Sequence, residues 1–152
     1  MLMIRYFTVA LAMTATVATA QTLAEKPPAA PLTAPGADAN LFIFRDHAEP
    51  LLFSPTVKVD DRKVISIGED RFTATRIAPG AHRISMAWPF LAKQPRVSGE
   101  FTLVEGQPIY FEVRGRSRYE IFAFRMETSL LQLPAEQGAT RIRACCRFVP
   151  PK

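Results

Sequence analysis

Arg114, Arg116 and Arg118 recur at every second position, a spacing that in an extended chain sends all three guanidinium groups the same way. Planar guanidinium forks match carboxylates and phosphates two hydrogen bonds at a time, so the trio is a candidate contact for lipid phosphates or glycan carboxylates. The plainer account is a charged hairpin tip that keeps a strand end from pairing with other chains. Trp88, Phe90 and Leu91, in the run Trp88-Pro89-Phe90-Leu91, put large apolar groups at a strand end, where they either cap the core or meet a partner. His47 stands in Asp46-His47-Ala48-Glu49 with carboxylates on both sides. A metal needs three or four convergent ligands, however, and a solvated loop accounts for the run. His82 falls on the apolar face of a strand and reads as a histidine hydrogen-bonded within the fold. The chain has no phosphate-binding glycine loop, no G-x-S-x-G elbow, no H-E-x-x-H and no C-x-x-C. No nucleophile and base, and no ligand set, can be assembled, so the sequence points to a protein that is not an enzyme and carries no cofactor or metal.

The only two cysteines are the neighbours Cys145 and Cys146. Adjacent Cα atoms lie about 3.8 Å apart, whereas unstrained disulfides span about 4.4–6.8 Å, so a bond between them is not expected. On a helix Cys146 joins the row of Ala139, Ile142 and Val149 and packs inward. Cys145 is left as the more reactive thiol, a candidate for an intermolecular disulfide with a second copy or a partner.

The elements that would position these groups are mostly strands. From Asn40 onward short β-branched and aromatic runs alternate with turn residues at even spacing, the pattern of an all-β fold: one antiparallel β-sandwich of seven to eight strands, immunoglobulin-like, with a short C-terminal helix. Leu41 to Arg45 is apolar on both faces, which suits a central strand. Thr56 to Asp60 and Lys63 to Ile67 form a hairpin, followed by Arg71 to Ile77. Ala78-Pro79-Gly80 turns, with Gly80 at positive φ, into Ala81 to Trp88, which alternates with His82, Ile84, Met86 and Trp88 inward. Val97 to Val104 and Pro108 to Arg114 are expected to pair through Glu105-Gly106-Gln107, and Gly115-Arg116-Ser117 is expected to turn into a strand over Tyr119 to Met126. Pro134 to Phe148 has helical spacing, opposed by Gly138 at a cost of about 1 kcal/mol.

Met1 to Gln21 reads as an export signal: one charge, Arg5, then an apolar run from Tyr6 to Val17, then the small-x-small pattern Ala18-Thr19-Ala20. The run is short of the roughly 20 strongly apolar residues of a bilayer span, so no transmembrane helix is expected after cleavage. No cysteine follows the cleavage point, which leaves no lipobox and points to a periplasmic or secreted protein. The domain expectation is a signal peptide over 1–20, a Pro/Ala-rich linker over 21–39, a sandwich over 40–126 and a C-terminal extension over 127–152. The linker could reach roughly 60 Å if polyproline-like. Of the net charge of +5, Arg114 to Lys152 supplies eight basic and three acidic residues. An envelope protein or an anionic envelope surface is therefore the expected partner, and export makes nucleic acid a poor one.

Val57-Lys58-Val59-Asp60-Asp61 with Lys63-Val64, then Ile77-Ala78-Pro79-Gly80-Ala81-His82-Arg83-Ile84, then Phe101-Thr102-Leu103 with Glu105-Gly106-Gln107 and Ile109-Tyr110-Phe111, resembles a bacterial envelope domain family of unknown function. Its members are often lipoproteins related to PEGA-type sandwiches. The resemblance runs from about Leu41 to Met126. It departs at the missing lipobox cysteine and at Asp61, where the family's turn commonly has glycine. It implies a binding or scaffolding module and brings no catalytic residues.

Overall fold

The structure, a computed structural model, describes residues 38–120 and 123–152, with side chains left out of account over 119–125. The expected signal peptide and nearly all of the expected linker lie outside the described residues. Among the described residues, nine strands and one α-helix follow in the order β1 (Leu41–Arg45), β2 (Thr56–Val59), β3 (Arg62–Ser66), β4 (Arg71–Thr75), β5 (Gly80–Ala87), β6 (Val97–Leu103), β7 (Ile109–Glu120), β8 (Ala123–Leu133), α1 (Ala135–Cys145) and β9 (Arg147–Phe148). A five-stranded sheet has the order β8-β7-β1-β4-β9, and a four-stranded sheet the order β3-β2-β5-β6. The described residues are thus all-β apart from one short helix and a 3-10 turn.

β1 is central, as its two apolar faces require. Leu41 and Ile43 enter a core shared with Val57, Ile65, Ile84, Met86 and Phe101 of the other sheet. Phe42 and Phe44 face the opposite way, into a second cluster with Tyr110 and with Ile142 of α1. The alternation in β5 and β6 also holds, with Ile84, Met86, Phe101 and Leu103 buried. The hairpin between β2 and β3 turns on Asp60 and Asp61, both at positive φ (48° and 62°), a conformation aspartate tolerates better than most residues.

Four expectations are corrected. The larger sheet is mixed: β1 runs parallel to β7 and β4 parallel to β9. β6 and β7 do not form a hairpin, because β6 pairs with β5 while β7 joins β1 in the other sheet. Gly115-Arg116-Ser117 is no turn; it lies inside β7, which pairs with β8 from Tyr110 to Glu120. The strand expected over Tyr119 to Met126 is divided between β7 and β8, with 121–122 outside the described residues, and 127–133 completes β8 rather than opening an extension.

The helix forms over Ala135–Cys145 and stops short of the expected Phe148, because Cys146 is extended and Arg147–Phe148 pair with β4 as β9; Glu136 stands in its first turn and Arg143 in its last, each favourable to the helix dipole. Gly138 is buried against Tyr110, and a Cβ there would overlap the ring. The weak helix former is therefore what lets α1 approach the sheet. The Tyr110 ring in turn stacks on Phe42 at 4.6 Å, and burial pushes its hydroxyl pKa up. Beyond β9, the Lys152 amide donates to the Val64 carbonyl of β3 at 2.9 Å, so the chain end links the two sheets. Among the described residues, no helix is long and apolar enough to cross a membrane.

Candidate functional site

The groups of interest gather at the end of the sheets where β1 runs out, β2 begins, β5 ends and β7 continues past its neighbours. The organiser is Arg45, the last residue of β1 and wholly buried. Among the described residues its guanidinium pairs with no carboxylate. It donates instead to four backbone carbonyls: Ala48 through Nε at 3.1 Å, Phe53 at 2.7 Å, Ile67 at 3.3 Å and Pro50 at 2.7 Å. Its Cζ lies 5.0 Å from the centroid of the Trp88 ring. Burial lowers its pKa, opposed by the fields of Glu69 and Asp70, and an arginine so placed stays charged. A buried carbonyl without a partner is costly, so this one side chain fixes the whole path of the loop 46–55.

The same loop leans on β7. The Glu49 amide donates to the Gly115 carbonyl at 3.1 Å, and the Glu49 carboxylate accepts from both the amide and the hydroxyl of Ser117. These two bonds, the hydroxyl's first, hold the Glu49 pKa below the ordinary carboxylate range. A Cβ on Gly115 would collide with the Glu49 carbonyl, which explains a glycine within a strand. Glu49 thereby serves β7 as a neighbouring strand would, beyond the point where β1 stops.

Arg114, Arg116 and Arg118 do share one face of β7, all exposed, because strand spacing replaces the expected turn. Arg114 is already engaged: its Nε and Nη2 both lie 2.9 Å from Oε2 of Glu112. Glu112 is almost fully buried, and the same oxygen accepts from Nη1 of Arg141 at 2.6 Å. Arg141 reaches on to Asp46 at 3.1 Å, tying α1, β7 and the loop after β1 together. Arg141 is thus not a simple C-terminal cation of the helix. Ile109, Phe111 and Val113 face the core between the sheets, and Glu112, on the opposite face, is buried because α1 covers it, which the alternation alone does not reveal. The apolar second face of β1 was the available signal that something must cover it. Arg114 and Arg116 line an open hollow of about 350 Å³ with Asp46, His47, Glu127 and Ser129.

Trp88 is core, 7% exposed, so it leaves the expected contact surface. It anchors the 3-10 turn Phe90–Ala92, whose Ala92 is also buried and whose Lys93 closes the turn in a left-handed conformation. Phe90 and Leu91 between these anchors stand 92% and 76% exposed. Leu52, on the loop held by Arg45, is 94% exposed.

His47 does not gather Asp46 and Glu49, whose carboxylates serve Arg141 and Ser117. Its Nδ1 lies 2.7 Å from Oε1 of Glu69, and its amide donates to Asp70 at 3.3 Å. One ligand atom from each of His47, Glu69 and Asp70 falls within 4.8 Å of the others, a grouping able to offer a divalent cation three ligands. At the opposite end of the sheets His82 bridges Asp60 and the Ala78 carbonyl, each at 2.7 Å from a ring nitrogen. Both partners accept, so the imidazolium satisfies both bonds and the neutral ring only one. The Asp60 bond, then the Ala78 bond, raises the His82 pKa, while the Arg83 amide and His82 lower that of Asp60.

Cys145 and Cys146 are joined to each other, which replaces the intermolecular disulfide expected of Cys145. The bond forms at the junction where α1 ends at Cys145 and Cys146 is already extended (φ −124°, ψ 143°), across the short separation that the sequence reading took to exclude it. Their Cα atoms are 3.7 Å apart, and Cys146 Sγ lies 3.6 Å from the Arg45 carbonyl.

Compared with protein-family models, with curated proteins and with solved structures, the chain matches none.

Proposed function

We infer that this chain is an exported, non-enzymatic module of the bacterial cell envelope, a PEGA-like β-sandwich that binds or scaffolds envelope components. The observation that carries the reading is the pair of apolar tips, Leu52 and Phe90-Leu91, held out by Arg45 and Trp88. Large apolar groups brought together at one end of a fold support a contact surface there. The polar groups, by contrast, are committed to the fold: Arg45 to carbonyls, Glu112 to two arginines, Glu49 to Ser117 and His82 to Asp60. The pattern of Met1 to Gln21 supports export, and the two-sheet core with its Asp60-Asp61 hairpin supports the sandwich.

Cell fractionation joined to in-cell cross-linking tests this. The protein is expected in the periplasmic or extracellular fraction, beginning at Gln21 and cross-linked to envelope components. Recovery from the cytoplasm with Met1 to Ala20 intact would overturn the reading. A second reading, a small-ligand or glycan site, is favoured by the arginine-lined hollow beside Ser129. It predicts that a glycan or small anion co-purifies and is lost in Arg116→Ala.

A further inference from the structure

We propose that the Leu52 and Phe90-Leu91 tips dock on an anionic phospholipid bilayer, inserting between headgroups while Lys93, Arg96 and Arg116 meet lipid phosphates. The proposal rests on the envelope-binding reading and names its partner. The two tips lie at the same end of the molecule: Thr56, at the close of the loop that carries Leu52, pairs with Ala87, just before Trp88 and the turn that carries Phe90. Both are rigid, one through the four carbonyls on Arg45 and the other through buried Trp88 and Ala92.

Exposure separates a bilayer from a protein partner. A side chain within a flat interaction patch is half covered by its neighbours, whereas Phe90 and Leu52 at 92% and 94% exposed stand clear of theirs. Tips of this kind need a matching pocket on a protein, and a fluid interface supplies one anywhere. Charge agrees. Lys93 and Arg96 are exposed and enter no ion pair among the described residues; Arg116 is exposed as well, across from Glu127 of β8, and Glu49 and Asp46, the carboxylates of the Leu52 loop, are occupied by Ser117 and Arg141. Apolar burial and attraction to anionic headgroups add together at such a surface, and cations beside it strengthen the attachment.

The test uses the chain from Gln21 to Lys152, the exported form, and vesicles of phosphatidylcholine and phosphatidylglycerol with brominated acyl chains. In Phe90→Trp the new indole is expected to shift to the blue and lose most of its emission when vesicles are added. The parent protein, whose only tryptophan is the buried Trp88, should change little. Leu52→Ser with Phe90→Ser and Leu91→Ser should weaken sedimentation with vesicles by at least about tenfold, since each change removes an apolar side chain that the bilayer would take out of water. Lys93→Glu with Arg96→Glu should weaken it only where phosphatidylglycerol is present. An indole at position 90 that vesicles leave unchanged would overturn the proposal. So would vesicle binding that survives the serine substitutions, which would place attachment on another part of the chain, and so would a specific protein cross-linked in cells through residue 90. That last result overturns the lipid partner and leaves the envelope-binding reading standing; cytoplasmic recovery of the chain sinks that reading while the vesicle results stand by themselves.

Discussion

Gly138 of α1 rests on the ring of Tyr110 in β7 so closely that there is no room between them for a methyl group. Two effects of opposite sign therefore compete in Gly138→Ala. Helix propensity favours alanine by about 1 kcal/mol, and overpacking against a stacked, buried ring costs about 1–3 kcal/mol. Packing should win, and urea denaturation should show a lower midpoint for Gly138→Ala. Thr140→Ala, on the exposed side of the same helix, should be neutral or slightly stabilising.

Gly115→Ala should act differently. Its methyl would displace Glu49, and with it the bonds to Gly115 and Ser117. Amide exchange at Ser117 should quicken in Gly115→Ala and in Glu49→Gln alike. Protection at Ser117 equal to the parent in both variants would mean that Glu49 does not hold this edge of β7.

Arg45→Met removes the donor to four carbonyls and keeps much of the side-chain volume. Hydrogen bonds from charged groups contribute about 1.5–3 kcal/mol each in favourable cases, so a loss of at least about 2 kcal/mol is expected in denaturation. Limited chymotrypsin cleavage should then appear at Leu51 and Leu52 before the rest of the domain opens. Equal resistance of parent and variant would contradict the role given to Arg45.

The His82–Asp60 pair sets a pH window. The His82 pKa is raised, so its contribution is complete below the ordinary histidine value of about 6.5 and is lost as pH rises through the raised one. The Asp60 pKa is lowered, so its contribution is present above the ordinary value of about 3.9 and is lost as pH falls through the lowered one. The unfolding midpoint should decline from about pH 6 to pH 8, and His82→Phe should flatten that decline. An equal slope in the variant would assign it to other groups.

With Cys145 and Cys146 bonded to each other, neither should take up an alkylating reagent until reductant is added. Non-reducing gels should show no dimer band. A dimer lost in Cys145→Ser would restore the intermolecular bond that the sequence suggests.

Which residues face inward was legible wherever a strand alternates, as in Ile84 and Met86 or Phe101 and Leu103, because burial of one face writes itself into every second residue. Which sheet each strand joins was not. The short links at Ala78-Pro79-Gly80 and Glu105-Gly106-Gln107 have the composition of hairpin turns, yet β4 and β5, like β6 and β7, lie in different sheets. Turn residues record a change of direction and carry no record of the partner. Gly115 misled for a related reason: glycine signals a special backbone conformation or a close approach, and only the position of Glu49, far away in sequence, tells which. Within the candidate site Phe90 and Leu91 were readable as apolar groups at a strand end and Trp88 as an inward residue of its strand, whereas the Arg45 guanidinium beside the Trp88 ring, arriving from another strand, was not.

The place of β1 bears on how this chain can be made. Its residues pair with β4 on one side and, register for register, with β7 on the other, and β7 emerges from a ribosome only after most of the domain has been synthesised. Until then the central strand has one unpaired edge, and its Phe42 and Phe44 lack Tyr110 and the helix that complete their cluster; the distant closure makes assembly slow. A nascent chain of this design stays open and pliable for most of its synthesis, a state in which a narrow channel could still accept it and a chaperone would have reason to hold it.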